Sequence, residues 1–270
     1  MDEILERAAQ AINDADVLFI TAGAGMGVDS GLPDFRGNEG FWKAYPLLKE
    51  EQLSFMDLAN PRGFANDPAR AWGFYGHRYN LYKKTHPHPG FTILQKWGDS
   101  KKEASFVFTS NVDGHFQKSG FSSAFIAECH GSINHLQCQN TCQTDIWKAH
   151  DLNLSIDETR LIATSELPTC PYCGQIARPN ILMFGDSNWT HQRTSKQYEN
   201  YEEWKNKNHE SKIVSIEMGA GKAIPTVRRE SNAMNGKTVR INPRDSDGKY
   251  NTISLPLGAH EALSRIDDLL

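Results

Sequence analysis

Four cysteines fall in two close pairs, Cys138/Cys142 and Cys170/Cys173. Four thiolates are the ligand set of a closed, tetrahedral zinc site, which has no open position and so holds structure rather than doing chemistry. Cys170-Pro171-Tyr172-Cys173-Gly174 reads as a knuckle turn, in which proline starts the bend and glycine takes positive φ. The first pair is one residue wider than the second, within the spacing zinc modules use. A redox dithiol at Cys170/Cys173 and a chance set of buried thiols are the competing readings. The fifth cysteine, Cys129, reads as a buried filler beside His130.

A second group lies where apolar runs end. Phe106-Val107-Phe108 leads into Thr109-Ser110-Asn111-Val112-Asp113. Asn111 and Asp113, two residues apart past a strand end, can together read a carboxamide, accepting from its NH₂ and donating to its oxygen. An Asx-turn, with both side chains satisfying local backbone, explains the pair equally well. Ile126-Ala127 precedes Glu128-Cys129-His130-Gly131. A histidine at a strand end beside glycine suits general base work near neutral pH. The chain has ten histidines, and only this position singles His130 out.

The third group is Thr21-Ala22-Gly23-Ala24-Gly25-Met26-Gly27, after the apolar run Val17 to Ile20. Such a turn lets backbone N–H groups approach a pyrophosphate without Cβ interference. A glycine-rich turn that is merely structural is the alternative. The glycines are not spaced as G-x-G-x-x-G, since position 28 is Val28, and Pro33-Asp34-Phe35-Arg36 stands where a helix should continue. Proline, carboxylate, flat apolar ring and guanidinium in succession suit a loop that folds over a ligand. A surface turn with Phe35 buried beneath it is the plainer reading.

Elements that could position these groups are legible. Short apolar or β-branched runs occur at 17–21, 106–109, 124–127, 213–217, 238–241 and 252–255. Helix-length amphipathic stretches lie at 4–12, 68–84 and 90–97. Strands alternating with helices predict an α/β fold: a Rossmann-like, doubly wound parallel sheet covered on both faces. In such sheets ligands bind outside the carboxyl ends of the strands, where the candidate residues fall. The polar stretch bracketed by cysteines reads as an inserted small zinc-binding module at about 136–175, the Rossmann-like part being 1–135 and 176–270. Residues 40–68 suggest a helical flap near the glycine loop, and 187–210 a solvated helix and loop. The 270 residues are 39% hydrophobic, enough for a real core, and carry a formal net charge of −4. No global basic field recruits nucleic acid or an acidic membrane. The cysteine-bracketed segment adds few basic residues, Lys148 and Arg160 among them. With no apolar leader near residue 1 and no membrane-length apolar run, the expectation is a soluble, cytoplasmic chain.

In order along the chain, these motifs resemble those of the sirtuins, NAD-dependent protein-lysine deacylases. "GAGMGVDSGLPDFRG" resembles the family loop G-A-G-x-S-x-x-x-G-I-P-D-F-R, and "TSNVDGHFQKSG" is similar to T-Q-N-I-D-G-L-H-x-x-A-G. "ECHGS" matches the segment with the catalytic histidine, the four cysteines match the family's zinc module, and "ARPNILMFGD" is similar to R-P-x-V-V-x-F-G-E. "EMGAGKAIP" is loosely similar to G-T-S-L-x-V-x-P, and "VRINP" to the adenosine-contacting strand end. The resemblance implies NAD and an acyl-lysine peptide meeting in a cleft between the large part and the zinc module. Gly23, Ala24, Gly25 and Arg36 would face the phosphates, with Ala22, Asp34 and Ser110 on the same surface. Phe35 would cover the nicotinamide ribose and keep water out, and Asn111 and Asp113 would hold the nicotinamide end. His130 would act as general base on a ribose hydroxyl after the acyl oxygen attacks C1′. Gly219, Ala220, Gly221 and Asn242 would line the adenosine half. Ile181, Leu182, Met183, Phe184 and Gly185 would offer an extended edge on which a peptide adds as a strand.

The chain departs from the family pattern at several points. Gly27 replaces a serine, Ser110 a glutamine and Phe116 a histidine, with His115 displaced by one. Asp186 ends the F-G-E motif, and Gly219-Ala220-Gly221-Lys222 has no hydroxyl. Two further readings therefore stay open: ADP-ribosyl transfer or NAD hydrolysis in the same cleft, and a non-catalytic NAD or ADP-ribose sensor or interaction module.

Overall fold

The computed structural model describes residues 1–33, 37–150 and 152–270. Asp34, Phe35 and Arg36, three of the expected cofactor residues, lie outside the described residues. In chain order, α1 (Asp2–Asn13) leads into β1 (Val17–Ala22), and α2 (Gly37–Ala44), α3 (Pro46–Glu50), α4 (Phe55–Leu58), α5 (Arg62–Asn66), α6 (Pro68–Lys84) and α7 (Gly90–Asp99) follow. Next come β2 (Phe106–Thr109), α8 (His115–Lys118), β3 (Ile126–Glu128) and β4 (Gly131–Cys138). The short strands β5 (Trp147–Lys148), β6 (Ile156–Asp157) and β7 (Ile162–Ala163) precede β8 (Ala177–Ile181) and α9 (Gln192–Lys207). The chain closes with β9 (Ile213–Met218), α10 (Thr226–Ala233), β10 (Gly236–Ile241), β11 (Thr252–Leu255) and α11 (Ala259–Asp267).

All six residues of β1 are buried. Leu18, Ile20 and Ala22 join one apolar core with α1, α7 and α11, while Val17 and Phe19 join another with α9 and α10. Successive side chains leave a strand on opposite faces, so a strand apolar throughout must be covered on both. It sits inside a six-stranded sheet of order β11-β10-β9-β1-β2-β3. Every pairing in that sheet is parallel, with Val17 opposite Ile213, Ala22 opposite Thr109, and Thr109 opposite Glu128. The loops after β1, β2, β3, β9 and β10 consequently leave from one edge.

A second, antiparallel sheet has the order β5-β4-β8. Cys129 and His130 are the two residues between the first sheet and this one, since β3 ends at Glu128 and β4 begins at Gly131. A third core joins this sheet to α2–α6, with Phe41, Trp72, Phe74, Tyr75, Leu136 and Ala177 among its members. Trp72 Nε1 donates to the Ala177 carbonyl at 2.9 Å, and Tyr79 Oη to that of Ala149 at 2.8 Å. At Gly73 a Cβ would lie 1.9 Å from the Leu161 carbonyl oxygen, so α6 can only approach the 161–162 backbone through glycine.

Two sequence expectations need correction. The strand expected at 124–127 is Ile126–Glu128, because the Ser122 hydroxyl accepts from the Ala124 N–H and holds Ser123–Phe125 in a 3₁₀ turn. The 187–210 segment is solvated on one face only: Thr194, Gln197, Tyr201 and Trp204 of α9 are buried, at helical spacing. Tyr201 and Trp204 stack on Phe19 with ring centroids 5.5 and 5.6 Å apart. Among the described residues no helix is long and apolar enough to cross a membrane.

Candidate active site

The loop after β1 does not start a long helix. Gly23 is extended, and two 3₁₀ turns follow, Ala24–Met26 and Val28–Ser30, closed by Gly31 at φ +85°. Its glycines are shaped by another loop. A Cβ on Gly23 would lie 2.8 Å from both Ala220 Cα and the Gly219 carbonyl oxygen, and one on Gly219 (φ +60°) 2.4 Å from the Gly25 carbonyl carbon and Met26 N. The two backbones touch, with Gly25 N–H donating to the Gly219 carbonyl at 3.1 Å and Gly23 N–H to that of Met218 at 2.9 Å. Gly221 faces open space and Ala24 is exposed. Asn242, buried at the end of β10, donates through Nδ2 to the Ala220 carbonyl at 2.9 Å, tying in a third strand end.

The loop after β2 joins the same assembly. Ala22's carbonyl accepts from Ser110 N–H at 3.1 Å and from Thr109 Oγ1 at 3.0 Å, and Asn111 Nδ2 donates to the Gly23 carbonyl at 3.1 Å. Hydrogen bonds thus bring Ala22, Gly23, Gly25, Ser110, Asn111, Gly219, Ala220 and Asn242 together. Asp113 is engaged locally: its Oδ1 accepts from His115 N–H at 2.8 Å, the Asx-turn alternative, with Gly114 at φ +74° behind it.

His130 lies beside this group. Cys129 N–H donates to the Thr109 carbonyl at 2.9 Å, and Cys129 itself is buried on the α9 side, its thiol pushed up to about 12 by burial, which rules out a thiolate nucleophile near neutral pH. The His130 ring is half-buried; burial pulls its pKa down, opposed by the Ser110 carbonyl as hydrogen-bond acceptor. A carbonyl partner keeps the proton on the nitrogen it faces and leaves the other lone pair free, the arrangement a general base needs. Glycine must follow: Gly131 has φ +79°, and a Cβ there would sit 2.1 Å from the Asn180 carbonyl oxygen.

The segment after β8 is not the free extended edge expected. Ile181 alone of 181–185 belongs to a strand, opposite Gly131. The N–H groups of Leu182, Met183 and Phe184 are already taken, by the His130 carbonyl at 2.9 Å, Asp186 Oδ2 at 3.4 Å and the Ala59 carbonyl at 2.9 Å. The chain turns at Phe184-Gly185 because Asp186 is anchored below by Arg178, whose Nη2 lies 2.8 Å from Oδ1, both side chains fully buried. A peptide arriving here meets carbonyls and side chains, Leu182 among them (38% exposed), rather than a row of donors. This ion pair joins the R-P and F-G-D ends of one motif eight residues apart, a pairing that spacing alone did not reveal. Equally unread was His88, which anchors the glycine loop: Nε2 donates to the Met26 carbonyl at 3.1 Å, and Nδ1 accepts from Gly90 N–H at 3.1 Å.

The Sγ atoms of Cys138, Cys142, Cys170 and Cys173 lie within 4.8 Å of one another, with Cys138–Cys173 at 3.7 Å and Cys142–Cys170 at 3.6 Å. Tetrahedral zinc with bonds of about 2.3 Å requires sulfurs about 3.8 Å apart. The donor set fits a structural zinc ion, and no thiolate is left over for redox chemistry.

Comparison with known proteins gives a consistent picture. The family model described as "Sir2 family" matches residues 23–206. A protein of Thermococcus kodakarensis named NAD-dependent protein deacylase is 31% identical over 183 residues, covering 68% of this chain and 65% of the relative. One of Saccharolobus solfataricus named NAD-dependent protein deacetylase is 31% identical over 186 residues, 68% of this chain and 66% of its own length. The matched region thus spans slightly under two thirds of these relatives. Among solved structures, a Sir2 homologue in complex with NAD aligns over 97% of this chain and 92% of its own, with TM-score 0.70 and 21% identity. One solved for sirtuin substrate affinity aligns over 96% of both chains, with TM-score 0.71 and 20% identity. At that identity they establish a shared fold.

Proposed function

The chain belongs to the Sir2 family, and on that footing we propose that it is an NAD-dependent protein-lysine deacylase. The reaction consumes NAD, an acyl-lysine and one water, and yields nicotinamide, free lysine and O-acyl-ADP-ribose. One observation carries the reading: a single sheet edge gathers the interlocked loops of Gly23, Asn111, Gly219 and Asn242 beside a half-buried histidine, His130, whose pKa is held below the ordinary value. Relatives named NAD-dependent protein deacylase, and a fold shared with an NAD-bound Sir2 homologue, support the cofactor.

NAD, when bound, supplies C1′ of a ribose whose nicotinamide can leave. The Gly23–Gly25 turn, with Ala22 and Ser110 beneath it, would give the pyrophosphate a close approach free of side-chain bulk, the Gly23 and Gly25 N–H groups being held by the Met218 and Gly219 carbonyls, and Asn111 would hold the carboxamide end. Gly219, Ala220, Gly221 and Asn242 would line the adenosine half. Asp113 contributes by holding the turn that follows Asn111. His130 would act as general base on a ribose hydroxyl. Arg36 and Phe35 would cover phosphate and ribose, with Asp34 beside them. The acyl-lysine protein would lie along Ile181–Gly185, contacting Leu182 and the carbonyls of the turn. Four gathered thiols suit a reducing compartment, and a cytoplasmic location is part of the proposal.

The test is nicotinamide release from NAD with and without acyl-lysine peptide, with products identified by mass spectrometry. Release that requires peptide and yields O-acyl-ADP-ribose is expected. Release equal with and without peptide would instead assign ADP-ribosyl transfer or NAD hydrolysis.

A further inference from the structure

Between α10 and the loop 243–250 lies a cavity of about 330 Å³, lined by Lys222, Arg228, Arg229, Arg240 and Lys249 among others. Five cations meet here in a chain whose formal net charge is −4. The acids paired with them are Glu217, Asp245 and Asp247, so five positive against three negative charges leave a local balance of +2.

The floor of the cavity is built. Arg240 is buried, with Nε and Nη2 donating to the two oxygens of Glu217 at 2.7 and 2.9 Å and Nη1 to the Asp247 carbonyl at 2.9 Å. Buried Arg228 reaches the same carboxylate at 3.6 Å, and its Nη2 donates to the carbonyls of Asp245 and Asp247 at 2.6 and 3.1 Å. One carboxylate therefore serves two guanidinium groups, and carbonyls complete their hydrogen bonds without cancelling the charge. At the rim Lys222 engages Asp247 at 2.8 Å and Asp245 at 3.4 Å. Arg229 and Lys249 are exposed and make no ion pair among the described residues.

We infer that this cavity is a phosphate-binding pocket at the adenosine end of the cleft. The buried Arg228 and Arg240 forks are engaged by Glu217 and the loop carbonyls and lend positive charge from below. Exposed Arg229 and Lys249 at the rim supply the charge-assisted donors to phosphate oxygens, and a compact dianion fits the volume and answers the unbalanced charge. Lys222 follows Gly219-Ala220-Gly221 directly, and the 243–250 loop directly follows Asn242, so the pocket continues the surface proposed for adenosine. That placement rests on the proposed cofactor; the cation cluster does not. The phosphate comes either from the adenosine ribose of a dinucleotide or from a separate phosphorylated molecule.

Calorimetric titration of the zinc-loaded 270-residue chain with NAD⁺, NADP⁺ and sodium pyrophosphate separates these sources. Arg229→Ala/Lys249→Ala, which alters exposed residues only and should keep the wild-type circular dichroism spectrum, serves as the variant. NADP⁺, pyrophosphate or both should bind, weakened tenfold or more in the variant, with NAD⁺ affinity changed less than twofold. NADP⁺ binding tighter than NAD⁺ assigns the phosphate to the dinucleotide; pyrophosphate binding with NADP⁺ equal to NAD⁺ assigns it to a second molecule. The pocket is refuted if neither preference nor pyrophosphate binding is seen, or if the variant leaves both unchanged. If NAD⁺ does not bind at all, the deacylase reading falls while the pyrophosphate arm still decides the pocket.

Discussion

Asn111 donates through Nδ2 to the carbonyl of Gly23 at 3.1 Å, binding the loop after β2 to the loop after β1. The same carboxamide stands at the proposed nicotinamide end, so positioning and recognition share one side chain. Asn111→Ala should lower turnover by a hundredfold or more while costing about 1 kcal/mol of stability, the usual worth of one hydrogen bond. A calorimetric scan would then show a fall in Tm of about 2–4 °C. Unchanged turnover would remove Asn111 from the site.

His130→Ala should abolish O-acyl-ADP-ribose formation and leave NAD affinity within about threefold, because the ring acts on a proton rather than holding the dinucleotide. Burial keeps the ring's pKa below the ordinary 6.5. The rate should accordingly stay level down to pH 6.5 and fall with a midpoint below it. A midpoint above 6.5 in the kcat profile would mean that another group supplies the base.

Stability should decline in acid through two other histidines. Burial, only partly opposed by the Met26 carbonyl, lowers His88 to about 4, and burial with nearby cations lowers His135 to about 4. Below pH 6.5 the unfolded chain binds protons at these rings that the folded chain does not, so their contribution is complete above 6.5 and drains away as pH falls toward about 4. Thermal melts from pH 7.5 to 4.5 should show this slope, and His88→Gln should flatten it. An equally steep curve in the variant would assign the acid lability elsewhere.

Elemental analysis should find about one zinc per chain, and Cys173→Ser should lose it. Metal removal by chelator should lower Tm, because the ion ties the end of β4 to the 170–173 turn and its binding free energy is folding free energy. A chelated protein with the original melting curve would exclude a structural metal.

Gly27 has ordinary helical dihedrals, φ −78° and ψ −12°, and a Cβ there would meet Leu32 Cδ1 at 3.0 Å, the movable end of a side chain. Gly27→Ser should therefore fold with a penalty under about 1 kcal/mol and, by restoring a hydroxyl to the loop, raise peptide-dependent nicotinamide release. Lower release from a folded variant would show that this chain's site is adapted to the missing hydroxyl.

Much of the fold could be read from the one-dimensional pattern, because strands buried on both faces must be largely apolar, as Val17–Ala22 and Phe106–Thr109 are apart from Thr21 and Thr109. The start of β3 was misread because apolar Ala124-Phe125 obeys a local cap at Ser122 instead of the sheet. The buried stripe of α9 escaped notice because its four contact residues are spaced three or four apart among charges. The strand-end rule singled out Asn111 and His130, which do lie just past the ends of β2 and β3. The glycines were harder: what crowds Gly23 is Ala220, nearly two hundred residues away, and no local pattern announces such a neighbour. The Arg178–Asp186 pair was visible as two motif ends, but its closure depends on a turn at Gly185, with φ +67°.

The contact of the glycine loop with the 219–220 backbone also bears on how a ligand would be received. Two loops that touch main chain to main chain, with a carboxamide clamped across each, cannot open by moving apart; they form one rigid shelf under both ends of the proposed dinucleotide. The entropy of ordering that shelf is settled when the protein folds, leaving less to be lost on binding. If the proposed function holds, adjustment to different acyl-lysine substrates falls to segments away from that shelf, the turn after β8 and the helices α2–α5.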